Sequence, residues 1–337
     1  MRAEDRRGTP PRVLVTWIGF DPDGDRTGAR LRQAGLGVVL APKTGARTAA
    51  DMARLVAGAV AAIVSTDPID REVLEAAPEL RVIARVGVGT DSIDLGAATE
   101  AGVVVTTTPG ANREATADHA LAMILAALRR VVEHDASVRR GEWRRGGDLT
   151  PWELHRAVAG LVGYGSIGRA VARRLRGFDV ELLVCDPAAR PQPGLAVVPL
   201  PVLLRRSDVV SLHAPLTDAT RRLIGRDELG LMRHEAVLVN TSRGGLVDEN
   251  ALAEALAHGR LRAAALDVFA GEPEVPRALA DLPNVVLSPH VGGLSERSIA
   301  TMTEQATSHV LAALRGAPDA AVVANPAVLG RAREAVA

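Results

Sequence analysis

The sequence predicts an α/β protein built on two parallel sheets, with the domain carrying one of them inserted into the other. Three observations predict it. Short apolar runs alternate with helix-like stretches across short turns over residues 12–106, as a parallel sheet requires. The alternation restarts after a long helical stretch at 112–130 and runs to 288. A last long helix at 295–314 follows that second set of strands, so the chain is expected to leave one domain and return to it. The expected division is an outer domain of 1–110 with 295–337, around an inserted domain of 111–294. A chain of 337 residues suits two domains of ordinary size.

In order, 12–18 reads as a strand, 27–34 as a helix closed by Gly35, and 38–41 as a second strand. A helix at 48–57, a strand at 61–65, a short helix at 70–76 and a strand at 80–85 follow. A helix at 94–101 ended by Gly102 and a strand at 103–106 complete the first set, and Pro109-Gly110 interrupts the pattern. The long helix at 112–130 carries Ala117, Leu121, Ile124 and Leu128 at three- and four-residue steps. A further helix at 133–140 leads to an arginine-rich loop around Trp143.

Residues 158–168 break from an apolar run into Gly163, Gly165 and Gly168, then become amphipathic. This is a strand, a tight turn and a helix start bearing the G-x-G-x-x-G fingerprint: the first glycine permits the turn, the second lets backbone approach a pyrophosphate, and the third lets helix and strand pack closely. Free N–H groups at the helix start face the phosphates. Ile167, Val171 and Leu175 keep an apolar stripe, Gly177 is placed to end the helix, and the next strand, 180–185, stops at Asp186. An acid about 20 residues past the glycines accepts hydrogen bonds from an adenosine ribose, and its charge opposes a 2′-phosphate. The segment therefore points to a Rossmann unit for NAD rather than NADP.

Composition excludes several function classes. Forty Lys and Arg balance forty Asp and Glu, which leaves no electrostatic case for nucleic acid or an anionic membrane. Lys43 is the single lysine, which argues against Schiff-base chemistry, and with 2% aromatic residues the core must be aliphatic. The one cysteine, Cys185, lies in a predicted strand as a small buried hydrophobe and fits a reducing cytoplasm. Apolar runs such as 120–128 fall short of the roughly 18 residues a membrane helix needs. Residues 1–11 are charged, unlike a signal peptide, and no metal site is expected.

Further strands at 208–215, 236–243, 263–267 and 284–288 each end in a polar or proline-containing turn. Ligands in such sheets bind beyond the carboxyl ends of strands, which singles out His213, Thr241, Ser242, Arg243, Asp267 and His290. A guanidinium on the glycine-flanked turn at Arg243 can hold a carboxylate through two parallel hydrogen bonds. A histidine such as His290 can give or take the proton of an alcohol, and Glu272 can orient its ring.

These blocks, above all 162–168, 239–249, 264–269 and 288–292, make the sequence similar to the D-isomer-specific 2-hydroxyacid dehydrogenases, and within them to the phosphoglycerate dehydrogenase branch. The similarity runs from about 12 to 316. It implies a Rossmann NAD-binding domain inserted into a flavodoxin-like substrate domain, and an NAD-dependent oxidoreductase that interconverts a D-2-hydroxy acid and its 2-keto acid. By the resemblance Arg243 binds the substrate carboxylate and polarises the keto group, His290 is the acid and base, and Glu272 is its partner. The loop at 85–91, with Arg85, Val86 and Gly87 as its substrate-binding residues, is implied to hold the carboxylate with its backbone N–H groups. The cofactor is implied to meet Val88, Gly163, Gly165, Ser166, Ile167, Gly168, Asp186, His213, Ala214, Pro215, Thr220, Thr241, Ser242, Asp267, Gly292 and Gly293. A homodimer around 112–145 is implied, with Arg145 reaching across it.

Phosphoglycerate-specific members carry an arginine where Ser65 aligns, whereas Arg85 and Arg145 match positions such members use. The sequence ends soon after Asn325-Pro326, so the regulatory serine-binding domain of longer members is not expected. Reduction of another small anionic 2-keto acid, such as a phosphonate, competes with phosphoglycerate oxidation. An NAD-sensing protein like the corepressors that share the fold is the alternative outside metabolism.

Overall fold

The computed structural model describes residues 10–330, so most of the charged segment at 1–11 and the end of the expected outer domain lie outside the described residues. In chain order the first elements are β1 (Arg12–Val15), α1 (Gly28–Gln33), β2 (Gly37–Leu40), α2 (Ala49–Val56), β3 (Ala59–Val64), α3 (Arg71–Glu75), β4 (Val82–Arg85), α4 (Leu95–Glu100) and β5 (Val104–Thr106). Then come α5 (Arg113–Arg129), α6 (Val131–Arg139), β6 (Val158–Val162), α7 (Ser166–Leu175), β7 (Glu181–Cys185), β8 (Ala196–Val197), α8 (Leu200–Arg206) and β9 (Val209–Leu212). The last are α9 (Arg226–Leu231), β10 (Val237–Asn240), α10 (Glu249–Ala257), β11 (Ala263–Leu266), α11 (Arg277–Ala280), β12 (Val285–Leu287) and α12 (Glu296–Leu314). The chain forms two compact units: one runs up to Asn112 and resumes at Ser295, and the other is Arg113–Leu294.

In the first unit five strands pair in the order β2-β1-β3-β4-β5, all parallel, the doubly wound order whose switch point lies between β1 and β3. Both faces of the inner strands β1, β3 and β4 are buried, so these strands read as continuous apolar runs and neighbouring residues serve opposite sides. Leu14 joins Met52, Val73 and Ala98 of α2, α3 and α4 on one face. Val13 and Val15 join Leu31 of α1 and Met302, Ala306 and Val310 of α12 on the other. Without α12 that second face would lack most of its cover, which is why the chain returns here. Side-chain caps from Thr48, Asp70, Asp94 and Ser295 open α2, α3, α4 and α12, each contributing about 1 kcal/mol. Strand β1, expected to reach residue 18, stops at Val15, because Thr16 turns its hydroxyl onto Asp67 and Ile18 is 64% exposed.

The carboxyl edge of this sheet is closed by polar side chains. Asp67, fully buried, accepts hydrogen bonds from Thr16 Oγ1 at 2.6 Å, Arg47 Nη1 at 2.9 Å and Ser65 N at 3.1 Å. From the turn after β2, Lys43 Nζ reaches over the end of β1 to donate to Thr66 O at 2.9 Å and Thr66 Oγ1 at 3.1 Å.

The second unit holds seven parallel strands in the order β12-β11-β10-β9-β6-β7-β8. Numbered from β6 this is 3-2-1-4-5-6 with one strand added beyond, and its switch point lies between β6 and β9. Helices α5 and α7 cover one face through Ala120, Ile124, Leu128, Val171 and Leu175. Helices α8, α9 and α10 cover the other through Leu203, Leu229 and Leu252. On α5 Ala117, Ile124 and Leu128 are buried as expected, Leu121 is only half-buried, and Ala120 and Met123 widen the buried stripe. Gly177 does not end α7. It lies in a 3-10 turn that follows Leu175, and Asp179, with φ +56°, makes the left-handed exit. Among the described residues no helix is long and apolar enough to cross a membrane.

Candidate active site

The carboxyl end of β6 feeds the three glycines directly into α7. Gly163 has φ +95°, and a Cβ there would lie 2.6 Å from Ala214 N, so the turn closes against the chain leaving β9. A Cβ on Gly168 would meet Gly163 O at 2.3 Å, whereas one on Gly165 would meet nothing within 4 Å. The outer glycines therefore serve packing, and the middle one leaves room for a ligand to approach backbone. Among the described residues no side chain caps α7, so its first N–H groups remain for an anion. Asp186, just past β7, accepts Tyr164 N on Oδ2 and Ala188 N on Oδ1, both at 2.7 Å. That holds the carboxylate in place, and each oxygen keeps a lone pair for a ribose hydroxyl. Beside it, burial and then the Asp186 charge push the Cys185 thiol up.

The turns after β9 and β10 are tied to each other. Ser242 Oγ donates to Ala214 O at 2.6 Å, and Thr220 Oγ1 closes its own loop onto Pro215 O at 2.7 Å. Thr241 Oγ1 is buried with no hydrogen-bond partner among the described residues, which is what a polar group of a bound cofactor would satisfy. His213 pairs Nε2 with Ser211 Oγ at 3.0 Å, and burial lowers its pKa to about 4, so it stands uncharged beside the glycine turn. An open glycine turn, an uncapped helix start, an anchored acid and an orphaned hydroxyl fit a dinucleotide.

Arg243 follows an Asx turn in which Ser242 N donates to Asn240 Oδ1 and Asn240 Nδ2 donates to Arg243 O. A Cβ on Gly244 would meet Phe269 C at 2.0 Å, so the arginine turn packs flat on the Phe269–Ala270 peptide. The next N–H groups of that loop are held by two carboxylates. Phe269 N donates to Glu272 Oε1 at 2.9 Å and Ala270 N to Glu249 Oε1 at 2.7 Å. Burial pushes the Glu249 carboxyl up, with Glu272 and Asp248 adding to it against the Ala270 bond. Glu272 Oε2 lies 2.7 Å from His290 Nδ1, with both side chains about 30% exposed. A carboxylate can only accept, so the Nδ1 proton points to Glu272 and Nε2 faces outward.

His290 itself sits at φ +54°. Its turn hangs from Asp267, which is 1% exposed: His290 N donates to Asp267 O at 2.8 Å, Val291 N to Oδ1 at 2.9 Å and Gly292 N to Oδ2 at 2.8 Å. Burial alone would raise the Asp267 pKa, but donors from His119, Ser288, Val291 and Gly292 outweigh it and the carboxyl titrates below its ordinary range. The acid implied to meet a nicotinamide carboxamide is thus also the brace of the histidine turn. The sequence does not single out Glu249, Ser288 or His119 as site residues. Glu249 and Ser288 stand inside the segments 239–249 and 288–292, so position is their only sequence signal, while His119 looks like any polar residue on a helix.

The Arg85 loop belongs to the first unit. Arg85 is 7% exposed and its guanidinium donates to Val86 O beneath Gly87, where φ is +128° and a Cβ would collide with Arg85 Nη1. Gly87 N donates to Thr108 Oγ1 at 2.8 Å, which corrects its expected part as a carboxylate donor: its role is the turn itself. Val88 is exposed, and so is Arg145 in the second unit.

The chain matches the family model described as D-isomer specific 2-hydroxyacid dehydrogenase, NAD binding domain, over residues 121–292. It is 46% identical over 259 residues to a glyoxylate reductase of Korarchaeum cryptofilum, covering 74% of this chain and 78% of that one. It is 40% identical over 270 residues to a D-3-phosphoglycerate dehydrogenase of Mycobacterium tuberculosis, with 78% of this chain and 51% of the longer protein covered. A crystal structure of a Thermus thermophilus protein superposes with a TM-score of 0.83 at 42% identity, covering 91% of this chain and 98% of the other. An NADPH-dependent glyoxylate/hydroxypyruvate reductase of Sinorhizobium meliloti, in complex with NADP and malonate, does so at 0.81 and 32% identity, over 94% and 98%.

Proposed function

The chain belongs to the D-isomer specific 2-hydroxyacid dehydrogenase family, an NAD(P)-dependent oxidoreductase family, and on that premise we propose that it reduces a small monoanionic 2-keto acid of the glyoxylate class with NADH. The hydrogen-bonded Glu272–His290 pair on the sheet edge that also carries Arg243 supports this reading most directly. NADH, when bound to the glycine turn, supplies the hydride. The chain's own residues do the rest. Arg243 holds the carboxylate and draws electron density from the keto group. His290, protonated on both ring nitrogens and stabilised in that form by the Glu272 carboxylate, gives its Nε2 proton to the carbonyl oxygen and is left as the neutral ring with its Nδ1 proton on Glu272; in the reverse direction Nε2 takes the alcohol proton and Glu272 stabilises the cation that forms.

The choice of a monoanion rests on Ser65 and Arg85. Ser65 gives no cation where phosphoglycerate-specific members have one, and Arg85 is bound beneath its own loop. NADH is preferred over NADPH because Asp186 sets a fixed negative charge at the ribose. The homodimer is proposed through α6 and the loop after it, where Val131, Val132, Val138 and Trp143 are 53, 51, 56 and 80% exposed. Light scattering tests that assembly.

The decisive assay follows NADH oxidation at saturating cofactor with glyoxylate, hydroxypyruvate, phosphonopyruvate and 3-phosphohydroxypyruvate side by side. Turnover of about 1 per second or more on glyoxylate, with kcat/KM above that for the phosphorylated acid, is the expected result. A phosphorylated acid as best substrate returns the chain to the phosphoglycerate branch. Failure on every acid, with NADH still bound, favours a sensor.

A further inference from the structure

A second histidine stands behind the turn that presents His290. From α5, His119 brings Nε2 to 3.0 Å from Ser288 Oγ and 3.3 Å from Asp267 Oδ1. Its Cδ2 lies 3.1 Å from where a Cβ on Gly292 would be. The Ser288 hydroxyl has one proton, and its 2.6 Å approach to Asp267 Oδ1 marks that carboxylate as the acceptor. Ser288 Oγ then accepts from His119, so the His119 proton is on Nε2. The resulting chain runs from His119 through Ser288 to Asp267, and Asp267 in turn holds the N–H groups of Val291 and Gly292 and, through its carbonyl, that of His290. A left-handed residue persists only where its surroundings over-determine it, and this chain of donors is what does so at His290.

We propose that His119 is a positioning residue of the acid–base machinery: it orients Ser288 and Asp267, and thereby fixes the turn that aims His290. The inference rests on His290 being the proton donor, but half of its test does not depend on turnover. In the NADH complex, His119→Phe fills a similar volume without the donor, and the amides of Val291 and Gly292 should exchange hydrogen about 10-fold faster or more. On glyoxylate the same variant should lose about 5-fold or more in kcat with KM within about 2-fold, because aim rather than binding is disturbed. His119→Gln returns an N–H near Nε2 and should recover most of both effects. Should His119→Phe not fold, Ser288→Ala interrupts the same chain and should give the same exchange and the same kcat loss.

Unchanged amide exchange and kcat in a folded His119→Phe protein would overturn the proposal. So would a lowered melting temperature with kcat intact, which assigns His119 to packing alone. Faster exchange in His119→Phe, together with a wild-type protein inert towards every keto acid, would uphold the bracing of the turn and overturn the enzymatic reading instead.

Discussion

At the carboxyl edge of the first sheet, charged side chains are tied down within the protein; at the carboxyl edge of the second, they are held on one side and offered on the other. Arg47 and Asp67 form a buried ion pair, Lys43 is engaged by Thr66, and Arg85 by Val86. His290 and Glu272, by contrast, keep about 30% of their side-chain surface while brackets from Asp267 and Phe269 fix their backs. Both sheets are parallel and doubly wound, so topology alone does not assign the chemistry. What distinguishes a working edge is an ionisable group with one face satisfied and the other exposed.

The sharpest break of that comparison is His290→Ala. It should lower kcat by about 100-fold or more, since acid–base groups contribute about 10²–10⁴, while NADH binding followed by fluorescence stays the same. Normal turnover would remove the second edge's claim to the chemistry. At the first edge, Arg47→Met leaves the Asp67 charge buried without its cation and should cost about 3 kcal/mol or more in stability, read as a lower melting temperature, with kcat retained at a permissive temperature. A loss of activity in the folded variant would show that this edge is not merely structural.

His213 sharpens the comparison within the second unit. Its pKa is about 4 when folded against 6.5 when free, so the unfolded chain takes up a proton first as pH falls. Stability should therefore decline between about pH 6.5 and 4, by at most about 1.4 kcal/mol per pH unit, and His213→Asn should flatten that decline in melting temperature against pH. The smallest effect belongs to Arg85→Ala. Because the side chain supports its own loop, KM should rise only a few-fold, equally for glyoxylate and for a dianionic acid. A selective rise for the dianion would make Arg85 an anion contact after all.

The features legible in the sequence are those written in local pattern. Gly163, Gly165 and Gly168 sit between an apolar strand and an amphipathic helix, and each takes the conformation or clearance that its place demands. Ser295 opens α12, as its position before a long periodic run indicated. Strand ends placed Arg243, Asp267 and His290 at one sheet edge because strand polarity decides where loops emerge. Contacts between distant segments left no such trace. The Arg47–Asp67 pair joins residues 20 apart, Ser288 and His119 are 169 apart, and nothing local in the sequence says that the Arg85 side chain folds under its own loop. Strand β8, two residues long, is too short to carry a period.

The left-handed backbone at His290 also governs how this position can evolve. Non-glycine residues that tolerate that region are chiefly asparagine, aspartate and histidine, whereas β-branched side chains are strongly opposed. A lineage that abandons catalysis yet keeps the fold is therefore channelled towards asparagine or glycine at 290, and its descendants would remain one or two nucleotide changes from recovering the enzyme.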